Sequence, residues 1–142
     1  MSTSLDRGWI EANLPHRGRM SLLHAILRWD EASLVAVARG HRDSQHPLRR
    51  EGELSIACGI EYGAQAAAAH GALVSRRPSG PGMLASARGV KFHASRLDDI
   101  TGDLEIAVAQ LGASDAGVLY RFELRGAGAL LTAGRLAVRF SP

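Results

Sequence analysis

Ser55-Ile-Ala-Cys-Gly-Ile-Glu61-Tyr-Gly-Ala-Gln65-Ala-Ala-Ala-Ala-His70-Gly-Ala-Leu-Val74 is the stretch on which the fold turns. Alanine dominates it and bulky β-branched residues are few, so a helix is expected over about 54–75. The stretch is apolar nearly all round, which predicts burial rather than a surface position. Yet it carries the carboxylate of Glu61 and the amide of Gln65, four positions apart and therefore on one helical face. A carboxyl group in such a helix is costly unless it is hydrogen-bonded, neutralised or used. Two readings follow for Glu61: a functional acid, or a carboxylate that reaches solvent or an arginine at the helix rim. Gln65 either holds that carboxyl in one orientation or lies on a partner-facing surface.

Upstream, residues 41–52 are polar, contain Pro47, and read as a loop rich in arginine (Arg42, Arg49, Arg50, with Arg39 just before). Residues 22–29 and 33–39 read as two strands joined by a turn at Asp30-Glu31, hence a hairpin. Leu14-Pro15-His16-Arg17-Gly18-Arg19-Met20 is irregular, and residues 5–13 form a short helical turn that buries Trp9 and Ile10. Downstream, Arg76-Arg77-Pro78-Ser79-Gly80-Pro81-Gly82 is a loop marked by Pro and Gly. Strands are expected over 83–93, 102–111, 117–124 and 129–140. Leu104, Ile106 and Val108 share one face of the second, and Leu131, Ala133, Arg135, Ala137 and Arg139 alternate along the last. A hairpin, a long helix and a run of antiparallel strands predict one α+β domain over 1–142, its curved sheet wrapped around the helix. Gly59, Gly63, Ala64, Ala67, Ala68 and Gly71 would let sheet and helix approach closely. A second subunit would cover the remainder, so a dimer is expected.

The totals narrow the function classes. At 46% hydrophobic and 22% charged, the 142 residues suit one soluble globular domain. One cysteine, Cys58, allows neither an internal disulfide nor a cysteine metal cluster. The net charge of +3 comes almost wholly from arginine, with Lys91 the only lysine. That balance suits an acidic protein partner or a phosphate-bearing ligand. It lacks the basic stripe with interleaved aromatics that nucleic-acid binding would need. The first seven residues lack the apolar core of a signal peptide and no apolar run is long enough to span a membrane, so a cytoplasmic location is expected.

Among the histidines, His46 lies in the loop Ser44-Gln45-His46-Pro47-Leu48, fifteen positions before Glu61. A loop running back along the helix could set its imidazole opposite the carboxyl; the alternative is a solvated side chain. His16 is either a ring that hydrogen-bonds backbone in a tight turn or a secondary catalytic candidate. His70, nine positions after Glu61, faces elsewhere, and His24, His41 and His93 read as structural. The six histidines give no metal-ligand spacing with a carboxylate, which argues against zinc. Cys58 sits in an apolar run where burial makes a thiol inert, so it reads as core. No nucleophile elbow, phosphate-binding glycine loop or dinucleotide fingerprint is present.

Three motifs resemble the hotdog-fold 3-hydroxyacyl-acyl-carrier-protein dehydratases of fatty acid synthesis. Leu14-Pro15-His16-Arg17 with Leu22-Leu23-His24-Ala25-Ile26 is similar to the family's N-terminal segment and first strand. Glu61-Tyr62-Gly63-Ala64-Gln65-Ala66 is similar to its helix motif, and Val90-Lys91-Phe92 with Gly102-Asp103 to its later strand and turn. Gln45-His46-Pro47-Leu48 departs from the family's Gly-His-Phe-Pro-Gly, and His24 replaces its aspartate. These departures resemble the dehydratase-like subunits of aryl-polyene pathways, some of which pair with another hotdog protein.

The resemblance implies a hotdog fold and dehydration of a 3-hydroxyacyl thioester to the trans-2-enoyl thioester. It implies His46 as the base that takes the C2 proton and Glu61, kept protonated by burial, as the acid at the C3 hydroxyl. Gln65 would orient the carboxyl. Backbone N–H groups around Ile56, Cys58 and Gly59 would receive charge on the thioester oxygen. No metal or redox cofactor is implied. The substrate would arrive on phosphopantetheine, from acyl-carrier protein or as a coenzyme A thioester, past a basic rim drawn from Arg49, Arg50, Arg76, Arg77 or Arg88. An acyl thioesterase, in which Glu61 activates water, and a non-catalytic partner subunit that binds acyl-carrier protein are the alternatives. The assembly would be a homodimer or a heterodimer with a second hotdog subunit.

Overall fold

The computed structural model describes residues 4–16, 18–76 and 83–139. Helix α1 (Arg7–Asn13) starts where Asp6 caps the Trp9 N–H at 3.1 Å. Strands β1 (Ala25–Trp29) and β2 (Ser33–Ala38) form the expected hairpin. A 3-10 turn (Ile56–Cys58), capped by the Ser55 hydroxyl, leads into α2 (Gly59–Ser75). Four strands follow: β3 (Met83–Phe92), β4 (Leu104–Ser114), β5 (Gly117–Gly126) and β6 (Ala129–Arg139). All pairings are antiparallel, in the order β1-β2-β4-β5-β6-β3, and α2 packs against β2, β4, β5 and β6.

Helix and sheet meet at glycine, as the small-residue pattern predicts. A Cβ on Gly59 would lie 2.9 Å from Leu124 and Thr132, and one on Gly63 would lie 2.9 Å from Phe122. These two positions are one helical turn apart, so β5 and β6 press on a single strip of α2. Gly63→Ala tests the strip. Alanine raises helix propensity by about 1 kcal/mol. The buried ring of Phe122 and the side chain of Leu136 must then move, at about 1–3 kcal/mol for overpacking. The expected net result is a loss of up to about 2 kcal/mol in urea denaturation, and a stabilised variant would contradict this contact.

β1 begins three residues later than expected, for a visible reason. The Leu22 N–H goes to the Gln65 side chain at 2.9 Å, and Arg7 donates to the carbonyls of Ser21 and Leu23. Side chains have taken the backbone groups that a strand partner would need. In β6, the register with β5 shifts so that Leu131 and Thr132 are both buried, while Arg135 and Arg139 are exposed. That bulge interrupts the expected alternation at Leu131.

His70 faces away from Glu61, as its phase predicts. Its ring contacts the Tyr120 hydroxyl at 2.8 Å and the Asp30 carbonyl at 3.0 Å. Burial lowers its pKa more than the Asp30 contacts raise it. A histidine with a depressed folded pKa stabilises the fold above the ordinary value of about 6.5. That contribution is lost as pH falls from there through the folded pKa. The thermal midpoint should therefore drop between pH 7 and pH 5, and drop less in His70→Gln, as a calorimetric pH series would show.

Candidate functional site

Glu61 stands in the first turn of α2, its side chain about one-third exposed while Tyr62, Gly63 and Gln65 are buried. Gln65, fully buried one turn on, makes three hydrogen bonds. Its Nε2 donates to Glu61 Oε2 at 3.0 Å and to the Met20 carbonyl at 2.7 Å, and its Oε1 accepts from the Leu22 N–H at 2.9 Å. One amide therefore holds the helix acid and the segment after α1 together. That segment is anchored by the buried Leu14 and turns at Gly18, whose φ of +58° suits glycine. It delivers His16, whose Nε2 lies 3.4 Å from Glu61 Oε2.

Burial pushes the Glu61 pKa up, but hydrogen bonds from His16 and Gln65 and the His16 charge push it down further. The net direction is below the ordinary glutamate value, so the group is a carboxylate at neutral pH. This corrects the expectation of a protonated acid. The apolar helix suggests only desolvation; the opposing donors come from an element 45 positions earlier in the chain and from the next turn.

His46 does not meet Glu61. It is buried, its Nε2 lies 3.0 Å from the Tyr62 hydroxyl, and its Nδ1 accepts the Leu48 N–H at 3.1 Å. The loop does run back along α2, but it lands one residue past Glu61, about 100° around the helix. Burial lowers the His46 pKa and keeps the ring neutral. With Nδ1 accepting, the single proton sits on Nε2 and is donated to Tyr62, so neither nitrogen offers a lone pair to a substrate. The expected base is thus a strut between loop and helix.

The N–H groups expected to receive a thioester oxyanion are also engaged. Ile56 donates to the Ser95 carbonyl, Ala57 to the Ser55 hydroxyl, Cys58 to the Ser55 carbonyl, and Gly59 to the carbonyls of Ile56 and Ala57. Gly59 serves the close approach of the sheet. Cys58 is half-buried, with burial raising its thiol pKa. Of the expected basic rim, Arg49 folds back onto the carbonyls of Arg42, Asp43 and Gly52, and Arg50 onto those of Pro47 and Arg49. Arg76 and Arg88 are exposed, and Arg77 lies outside the described residues. Among the described residues no cluster of three His, Cys, Asp or Glu is placed to hold a metal, and no helix is long and apolar enough to cross a membrane.

The structure therefore brings together Glu61, Gln65 and His16, and sets His46, Cys58 and Gly59 apart in other roles. Tyr62, the partner of His46, carries no sequence signal beyond its place beside Glu61.

Solved structures with this architecture span several activities. The dehydratase heterocomplex ApeI:P from Xenorhabdus doucetiae matches with a TM-score of 0.80 and 23% identity, over 94% of this chain and 91% of that one. Cj0977, a sigma28-regulated virulence protein of Campylobacter jejuni, matches at 0.66 and 14%, over 94% of this chain and 89% of that one. Zebrafish thioesterase superfamily member 2 matches at 0.65 and 14%, over 94% of each chain. These likenesses establish the hotdog fold. No curated protein sequence matches this one significantly. The family model of the ApeP-like proteins, described as ApeP dehydratase, matches residues 9–142. The chain therefore belongs to the ApeP-like dehydratase family.

Proposed function

We propose that the protein removes water from a 3-hydroxyacyl thioester, giving the trans-2-enoyl thioester, with Glu61 and His16 as the reacting pair. The observation that carries this reading is the 3.4 Å contact between His16 Nε2 and a Glu61 carboxylate held by Gln65. The pair works from one shared proton. Glu61 takes the proton from C2 as that C–H bond breaks. The imidazolium of His16 protonates the C3 hydroxyl, the C3–O bond breaks and water leaves. Glu61 is then protonated and His16 neutral, and proton transfer across their contact restores the starting state. This reverses the roles that the resemblance implies and moves the histidine from the loop to the segment after α1.

The thioester is carried on phosphopantetheine, attached to acyl-carrier protein or within coenzyme A, and no metal or redox cofactor takes part. We assign the protein a second hotdog subunit as partner, in a homodimer or heterodimer, as in the ApeI:P heterocomplex among its structural neighbours. A second reading has a specific basis: an ionised Glu61 can also activate water, which would make the protein a thioesterase.

Mass spectrometry of 3-hydroxyacyl-carrier protein incubated with the purified protein separates these. Loss of one water from the intact thioester supports the dehydratase. Release of free acid supports the thioesterase. No turnover, alone or with a second hotdog subunit, rejects both and leaves a carrier-binding subunit.

A further inference from the structure

We infer that a cleft beside Tyr62, distinct from the Glu61–His16 pair, is a binding site for a phosphate ester. The cleft holds about 190 Å³, roughly the share of six liquid waters, which is room for a phosphate group and its ester linkage. It opens between the segment after α1, the end of β2, the His46 loop and the first turns of α2.

Hydrogen-bond logic at its floor points to a ligand. The Leu48 N–H donates to His46 Nδ1, so His46 carries its proton on Nε2 and gives it to the Tyr62 oxygen. The Tyr62 hydroxyl must then send its own proton elsewhere. It is 1% exposed, and among the described residues no acceptor receives it. Burial pushes its pKa well up, so it stays an O–H donor. Ser21, 5% exposed, also lines the cleft, and its hydroxyl has no hydrogen-bond partner among the described residues. Two buried hydroxyls without acceptors are expensive unless something in the cleft supplies them.

Charge around the rim selects the ligand. Arg7, Arg19 and Arg39 line the cleft, with Asp43 as the one carboxylate among its lining residues. Arg19 and Arg39 keep several N–H groups over, whereas Arg7 spends most of its own on Glu11 and on the carbonyls of Gly18, Ser21 and Leu23. Arg7 pairs with Glu11 and Arg39 with Asp103, while Arg19 stands 3.9 Å from Asp43. Arg39 also donates to His24 Nε2. Donors from three separate elements around one concavity fit a tetrahedral oxyanion with several outward oxygens better than a planar or apolar group. A free phosphate ester and the phosphodiester of a phosphopantetheine arm share this chemistry. The second source rests on the thioester reading above; the site itself does not.

Calorimetric titration tests it, using inorganic phosphate, 4′-phosphopantetheine and pantetheine. Binding of the two phosphates without binding of pantetheine is expected, and it should weaken with added salt. Tyr62→Phe, which keeps the ring, should weaken it about tenfold. Arg19→Ala with Arg39→Ala should abolish it. Competition by the carrier-bound thioester identifies the arm as the source; its absence identifies a free phosphate ester, with the site standing in either case. Failure of both phosphates to bind at millimolar concentration overturns the proposal, as does binding that Tyr62→Phe and the arginine pair leave unchanged. These readouts do not depend on turnover, so a failed dehydration assay leaves them interpretable.

Discussion

Glu61→Gln will reduce kcat/KM for 3-hydroxyacyl thioester dehydration by about a thousandfold, within the range that loss of a positioned base produces. The amide is nearly the shape of the carboxylate and its oxygen still accepts from His16 and Gln65. The fold should stay intact, with a thermal midpoint close to that of the wild type. What disappears is the negative charge and the lone pair that takes the C2 proton. Glu61→Asp keeps the charge but draws it back by one methylene, so it should fall between the two. The wild-type pH profile checks the same assignment. Hydrogen bonds from His16 and Gln65 hold the carboxyl below its ordinary range. Activity that needs the carboxylate should therefore persist on acidification until the pH passes below the ordinary glutamate value, about 4.3. A Glu61→Gln enzyme within tenfold of wild type would remove Glu61 from the chemistry.

The elements of this fold are legible in the sequence because each is encoded locally. An alanine-rich run with glycines on one strip makes α2, and alternation such as Leu104, Ile106 and Val108 makes a strand with one buried face. The strand order β1-β2-β4-β5-β6-β3 is not encoded that way. It depends on how the sheet closes around the helix, which no short window contains. The site shows the same division. Glu61 and Gln65 are paired by helical spacing and do bond to each other. Their third member, His16, lies 45 positions before Glu61 and is delivered through backbone bonds of Met20 and Leu22. Nothing in spacing announces that. His46 illustrates the reverse. Its loop returns to α2, but the sequence cannot resolve a landing point to one residue, and one residue is the difference between Glu61 and Tyr62. The protonation of Glu61 differed from expectation for a related reason: burial is visible in composition, while the donors that outweigh it are not.

Gln65→Leu should be the most damaging single change at the site, because it strikes stability and chemistry through one side chain. Leucine fills nearly the same volume in a fully buried position, so packing is not the main loss. The Met20 carbonyl and the Leu22 N–H lose their partner together. The Leu22 N–H is buried and its loss costs about 1–3 kcal/mol, while the carbonyl of the exposed Met20 can turn to water. At roughly 2–4 °C per kcal/mol for a domain near this size, the thermal midpoint falls by about 5 °C. The segment can escape part of that cost only by moving out to water, and His16 moves with it. Turnover should then fall at least a hundredfold even at temperatures where the variant remains folded. A purely structural role would not move the pH profile, so the profile separates the two. Without the Gln65 hydrogen bond, and with His16 displaced, the Glu61 pKa rises toward its ordinary value, since burial then acts with less opposition. The acid limb of kcat/KM should shift to higher pH. A variant that melts earlier but keeps the wild-type acid limb and turnover would show that Gln65 only ties the segment to the helix and does not set the state of the carboxylate beside it.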